Sequence, residues 1–168
     1  MKRLIFFLLA TILILSLVAC DYGAQDSGVP FYYPKAEFDH GATDGVIASE
    51  IHEISGHHDD LRYLLALYLH GPSDPELRRA FPYGTILVDL VQEDKSVTVT
   101  LTASAAALDG MDLTIACACL AETCFAICDA QQVHITSLAT TSGQAVDTTI
   151  TRDSILLPGY KILPEDTE

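Results

Sequence analysis

Basic residues are scarce in this chain. Its 168 residues include 9 Lys and Arg against 23 Asp and Glu, a net charge of −14. Electrostatic binding of nucleic acid needs a positive face, so no nucleic-acid partner is expected. Anionic headgroups should repel the chain. A cationic partner, or divalent cations, would suit it better, although plain solubility also accounts for the charge. Catalytic signatures are missing too. There is no G-x-S-x-G elbow for a serine nucleophile. There is no glycine-rich phosphate loop, because Gly84, Gly110 and Gly143 stand isolated. Internal repeats and long low-complexity segments are absent.

Long apolar runs are equally rare. The prominent one follows Lys2 and Arg3 and reads IFFLLATILILSLVA. It is shorter than the about 20 residues of a membrane-spanning helix. A basic start and a short apolar run make a secretory signal over 1–19. The run ends in Leu17-Val18-Ala19-Cys20, which reads as a lipobox. The small Ala19 lets a peptidase reach the bond, and the Cys20 thiol carries the diacylglyceryl group. Two acyl chains, palmitate for example, count as two anchoring signals at about 0.8 kcal/mol per buried methylene. The alternative is an ordinary secreted protein in which Cys20 is incidental. Cleavage before Cys20 removes Lys2 and Arg3 and leaves 7 basic and 23 acidic residues, net −16. The expected product is a lipoprotein on the extracytoplasmic face of a cell membrane.

Residues 20–30 then form the lipidated N-terminus and a polar spacer containing Gly, Pro and Ser. Residues 31–160 are long enough for one domain with a real core. Residues 161–168 form an acidic tail. Phe31-Tyr32-Tyr33 reads as a strand stopped at Pro34, followed by a turn over Asp39–Gly45. Residues 46–54 form a second strand, although Ile47, Ile51 and Ile54 also fit a helical face. Asp59 or Asp60 can N-cap the apolar helix LRYLLALYL, because a carboxylate accepts from free first-turn N–H groups. Leu67 and Leu69 add to its apolar face, so deep burial is expected. Gly71-Pro72 ends that helix. Asp74-Pro75 should restart a short one, ELRRAF. After a turn at Pro82–Thr85, residues 86–91 and 96–102 alternate dry and wet positions as a hairpin. A third helix opens at Asp109 or Asp112 and runs to about Cys128. Strands at 132–138 and 146–151 close the domain. The order β-β-α-(short α)-β-β-α-β-β implies an α+β fold, with helices mainly on one face of a small mixed or antiparallel sheet.

Two clusters invite chemical readings. His52-Glu53 with His57, His58 and Asp59 suggests a zinc peptidase. That mechanism needs H-E-x-x-H, so that two imidazoles share a helical face. Here the second His comes one residue late, about 140° round a helix from the first. His52, His57, His58 and Asp59 therefore remain weak metal candidates, beside the plainer reading of a solvated turn. Cys117, Cys119, Cys124 and Cys128 lack the paired C-x2-C spacing of a zinc knuckle. They fit buried core thiols, a disulfide that needs a broken helix, or a metal or redox site. No cofactor and no catalytic residue follows from either cluster.

Leu69-His70-Gly71-Pro72 and Pro82-Tyr83-Gly84-Thr85 follow an aromatic strand and precede an alternating Val strand. This framework over roughly residues 31–138 resembles the GerMN domain of sporulation and spore germination. The likeness rests on Leu69, Gly71, Pro72, Pro82, Gly84 and Thr85, in structural rather than catalytic roles. It departs in the third helix, TIACACLAETCFAIC, which is richer in Cys and Ala than the family pattern. The resemblance implies a Gram-positive lipoprotein with a non-catalytic envelope assembly or interaction module, not an enzyme. Its partners would be the membrane, through lipidated Cys20, and other envelope proteins. The alternative is a metal-binding or thiol-redox enzyme using the His52–His58 cluster or the cysteine-rich helix.

Overall fold

Aromatic and β-branched residues at the start of the domain favour an extended chain, and Pro34 ends it. Strand β1, Val29–Pro34, pairs antiparallel with β2, Ile47–His52, in a two-stranded sheet. The computed structural model describes residues 28–37 and 45–154. The signal segment, Cys20, most of the loop expected at 39–45 and the tail 161–168 lie outside the described residues. The two readings of Ile47, Ile51 and Ile54 resolve as a strand. Ile51 points outward at 61% exposure, which a shared helical face would not allow.

Helix α1, Leu61–Tyr68, buries Leu61, Leu64, Leu65 and Tyr68. Asp60 is its cap, accepting from the Tyr63 amide at 3.0 Å. Arg62, Tyr63 and Ala66 are exposed, while Leu67 and Leu69 are half-buried. The helix is therefore amphipathic rather than deeply buried. Tyr33 stacks on Tyr68 at 4.9 Å and donates its hydroxyl to the Tyr68 carbonyl at 3.0 Å, closing the C-terminal end of α1. Phe31 meets Tyr68 edge-on. Each buried aromatic contributes about 1.5–3 kcal/mol.

The expected helix ELRRAF does not form. Asp74 does make the local bond of a cap, accepting from the Glu76 amide at 2.8 Å. The chain then extends, and Leu77 forms a bridge with Lys35. Ala36 donates to the Glu76 carbonyl at 2.8 Å and Arg78 to the Pro34 carbonyl at 2.9 Å. A helix this short cannot offset its nucleation cost. The free edge of β1 offers those backbone groups partners at once, and Leu77, Ala80 and Phe81 reach the core.

The second sheet has four strands in the order β3-β4-β5-β6. These are Leu87–Glu93, Ser96–Leu101, Gln132–Ser137 and Asp147–Thr151. β3–β4 and β5–β6 are antiparallel, whereas β4–β5 is parallel. The parallel pair requires a crossover, and helix α2, Gly110–Ile127, supplies it. Val97, Val99, Leu101, Val133 and Ile135 are fully buried on the face toward the helix.

Helix α2 packs against β1 and also against β5 and β6. By hydropathy alone it would suit a membrane, but it is buried within the domain. A helix apolar all round is expected where partners surround it. Its small residues Ala116, Cys117, Ala118, Cys119, Ala121 and Cys124 let β1 approach closely. The contact is direct: the Tyr32 amide donates to Thr123 Oγ1 at 2.9 Å. Thr123 in turn donates to the Cys119 carbonyl at 2.9 Å. The fold is the expected α+β, with its strands divided between a two-stranded and a four-stranded sheet that both pack against helix α2.

Candidate functional site

The two glycine turns are joined by a residue that the sequence reading passed over. Gly71 sits at φ +89°, beyond the end of α1. A Cβ there would lie 2.6 Å from Cγ of Arg79. Arg79 fills that space, donates to the Leu69 carbonyl at 3.1 Å and lies 5.4 Å over the Tyr83 ring. One guanidinium therefore ties the Leu69–Pro72 turn to the Pro82–Thr85 turn. The second turn closes with the Thr85 amide on the Pro82 carbonyl at 3.1 Å, with Gly84 at φ +86°. Thr85 is buried and accepts from Ser104 at 3.2 Å. Thr102 receives the Ile86 amide at 3.0 Å and lies 2.8 Å from Ser104. These side chains spend their polar groups on positioning the chain. None is presented for chemistry.

The histidine-acid cluster is split. His52 ends β2, with its ring 4.6 Å from Phe31 and its Nε2 3.2 Å from Glu50 Oε2. That approach is an ion-pair distance without hydrogen-bond alignment, and Nε2 has no other partner among the described residues. His57, His58 and Asp59 occupy the loop before α1, where His57 stacks on Tyr63 at 4.5 Å. Among the described residues no three His, Cys, Asp or Glu side chains converge as a metal site.

The four described cysteines are free thiols. Burial pushes Cys117 up to about 11, and raises Cys119 and Cys124 as well. Cys128 is half-buried and donates to the Cys124 carbonyl at 3.1 Å. A nucleophilic or redox-active cysteine needs thiolate character and access. Cys117, Cys119 and Cys124 have neither. The buried Tyr68 hydroxyl beside them is also raised by burial, and it has no hydrogen-bond partner among the described residues.

The loop that carries His57 and His58 does border a concave surface. An open groove of ≈ 710 Å³ runs between Gly56–Arg62 and the strand β3, where Leu90 and Gln92 line it. Arg62 crosses to Asp89 at 3.1 Å, joining α1 to β3. Among the described residues no three metal-ligating side chains converge in the groove. β3 is an outer strand, and large apolar side chains stand exposed on it and just before it: Ile86, Val88 and Val91. Tyr83, in the turn before, is 87% exposed.

No family model matches the chain, and neither does any curated protein. Solved structures do. The tandem GerMN domains of the sporulation protein GerM from Bacillus subtilis match with a TM-score of 0.50 and 17% identity. The match covers 79% of this chain and 49% of that one, so the chain spans about half the length of that structure. A candidate lipoprotein from Clostridium perfringens gives a TM-score of 0.44 and 19% identity, over 82% of this chain and 95% of the other. The first likeness shows that the domain has a GerMN-like fold.

Proposed function

We propose that this chain is a membrane-anchored, extracytoplasmic lipoprotein whose GerMN-like domain is a non-catalytic interaction module. It holds its docking surface beside other envelope proteins and serves sporulation or spore germination. The observation that carries this reading is how the motif residues and the side chains bound to them are used. Gly71, Gly84, Thr85, Arg79 and Thr102 all serve to brace two turns, and they leave an exposed strand edge beside an open groove. The lipobox Leu17-Val18-Ala19-Cys20 supports the anchor. The tandem GerMN domains of a sporulation protein support the process. A metal or thiol-redox enzyme draws no support from a split histidine cluster and buried thiols.

Gene deletion in the native host tests the role, with spore yield and germination both scored. A defect in either that is rescued by the intact gene is the expected result. Wild-type yield and germination would remove the sporulation role and leave a GerMN-like fold in need of another function.

A further inference from the structure

β3 and β6 are the outer strands of the four-stranded sheet, and β1 and β2 are both edges of the two-stranded one, the other side of β1 being met by the Leu77 segment. β6 turns Asp147, Thr149 and Thr151 outward, and β2 exposes one large apolar side chain, Ile51. β3 differs in carrying both an apolar margin and a groove. Ile86, Val88 and Val91 are 62%, 42% and 42% exposed, a combination that edge strands ordinarily avoid. The register shows which backbone groups face the groove. Glu93 and Ser96 close a two-residue turn and so form a hydrogen-bonded pair. Bonded and non-bonded pairs alternate along an antiparallel ladder, so Val91 and Asp89 also aim their backbone at β4. Leu90 and Gln92 aim theirs outward, and these are the two β3 residues that line the groove.

We propose that the outer edge of β3 takes an extended segment of a basic partner protein as an added strand. This deepens the interaction-module reading and rests on it. Backbone groups of Leu90 and Gln92 supply the ladder, Val88 and Val91 meet the partner's apolar side chains, and acidic residues select its charge. Asp59, Asp60, Asp89 and Glu93 border the edge, and Arg62 is already engaged by Asp89. The net charge of −16 on the chain cleaved before Cys20 draws a cationic segment from a distance. The same charges act against a second copy. In the antiparallel register centred on Val91, Asp89 and Glu93 would face each other twice, and like charges directly opposite are destabilising.

The test uses the full-length lipidated protein in detergent micelles and two labelled peptides, one alternating valine with lysine and one alternating valine with glutamate. The valine–lysine peptide should bind and the valine–glutamate peptide should not. Gln92→Pro removes an outward N–H without touching a β4 bond, so it should abolish binding while circular dichroism stays unchanged. Glu93→Lys, a surface change safe for folding, should weaken binding about two- to fivefold. Equal binding of both peptides, or full binding to folded Gln92→Pro, would overturn the proposal. So would a homodimer that Gln92→Pro dissociates, or peptide binding seen only after residues 155–168 are cut away. Those two results would assign the edge to a second copy or to the chain's own tail. Envelope proteins that still co-purify with Gln92→Pro would overturn the edge assignment and leave the interaction module standing.

Discussion

Gly71 shows how a single missing side chain can organise a domain. Its φ of +89° disfavours any L side chain, and Arg79 occupies the space where a Cβ would go. Gly71→Ala therefore strains the backbone and displaces the guanidinium from Leu69 and Tyr83. A loss of about 1–3 kcal/mol is expected in urea unfolding, with a spectroscopically native fold retained. An unchanged midpoint would mean that the turn relaxes without cost. The buried thiols make a second residue-level prediction. Cys117 is raised by burial from 9.0 to about 11. Between those values the unfolded chain has lost a proton that the fold keeps, so stability falls as pH rises through that window and is flat below it. Each such thiol contributes up to about 1.4 kcal/mol per pH unit there. Urea midpoints should drop between about pH 9 and 11, and Cys117→Ala should flatten part of that slope. The cysteines were visible in the sequence as a cluster on one helix. Their reading as buried core thiols holds for Cys117, Cys119 and Cys124, while its cause, β1 lying against that helix, depends on the tertiary fold.

Among the elements, alternation was the dependable signal. Val97, Val99 and Leu101 set the buried face of β4, and Val133 and Ile135 repeat it in β5, so both strands were legible from pattern alone. The segment after Asp74 was not. Its cap chemistry is real, but the unpaired edge of β1 outcompetes a six-residue helix for the same backbone groups. Helix α2 was readable in extent and surprising in its composition. Ala and Cys run along it because it must accept a strand at close range, and Thr123 makes that approach specific. Thr123→Val keeps the shape and removes the acceptor of the Tyr32 amide. It should cost about 1–3 kcal/mol, the penalty for an orphaned donor, whereas Thr123→Ser should cost much less. A loss in Thr123→Ser with none in Thr123→Val would show that the methyl packing matters and the hydrogen bond does not. The groove beside β3 could not be read in advance. It joins the loop 56–60 to a strand edge about thirty residues away, and spacing along the chain carries no sign of that proximity.

For the molecule as a whole, the anchor and the docking surface proposed above would belong to one mechanism. Seven residues lie between Cys20 and Gly28, so the tether proposed here, eight Cα-to-Cα steps long, spans at most roughly 28 Å. An acidic domain gains nothing from anionic headgroups, and the lipid alone would keep it near them. What the proposed tether would supply is effective concentration. A partner embedded in the same membrane would meet the β3 edge as a neighbour, so that a weak strand-addition contact would suffice. Cys20→Ser separates the two contributions. The variant should lose palmitate labelling and move from the membrane fraction to the soluble fraction. Its circular dichroism and its affinity for the valine–lysine peptide should be unchanged, because β3 lies in the other sheet from the β1 strand that the tether enters. Recovery of envelope partners should nevertheless fall by about a hundredfold or more, the scale that linkage supplies. Full recovery from the soluble fraction would show that the edge binds tightly by itself and that the lipid sets location only. Palmitate labelling that persists in Cys20→Ser would place the lipid on another residue and withdraw the lipobox reading.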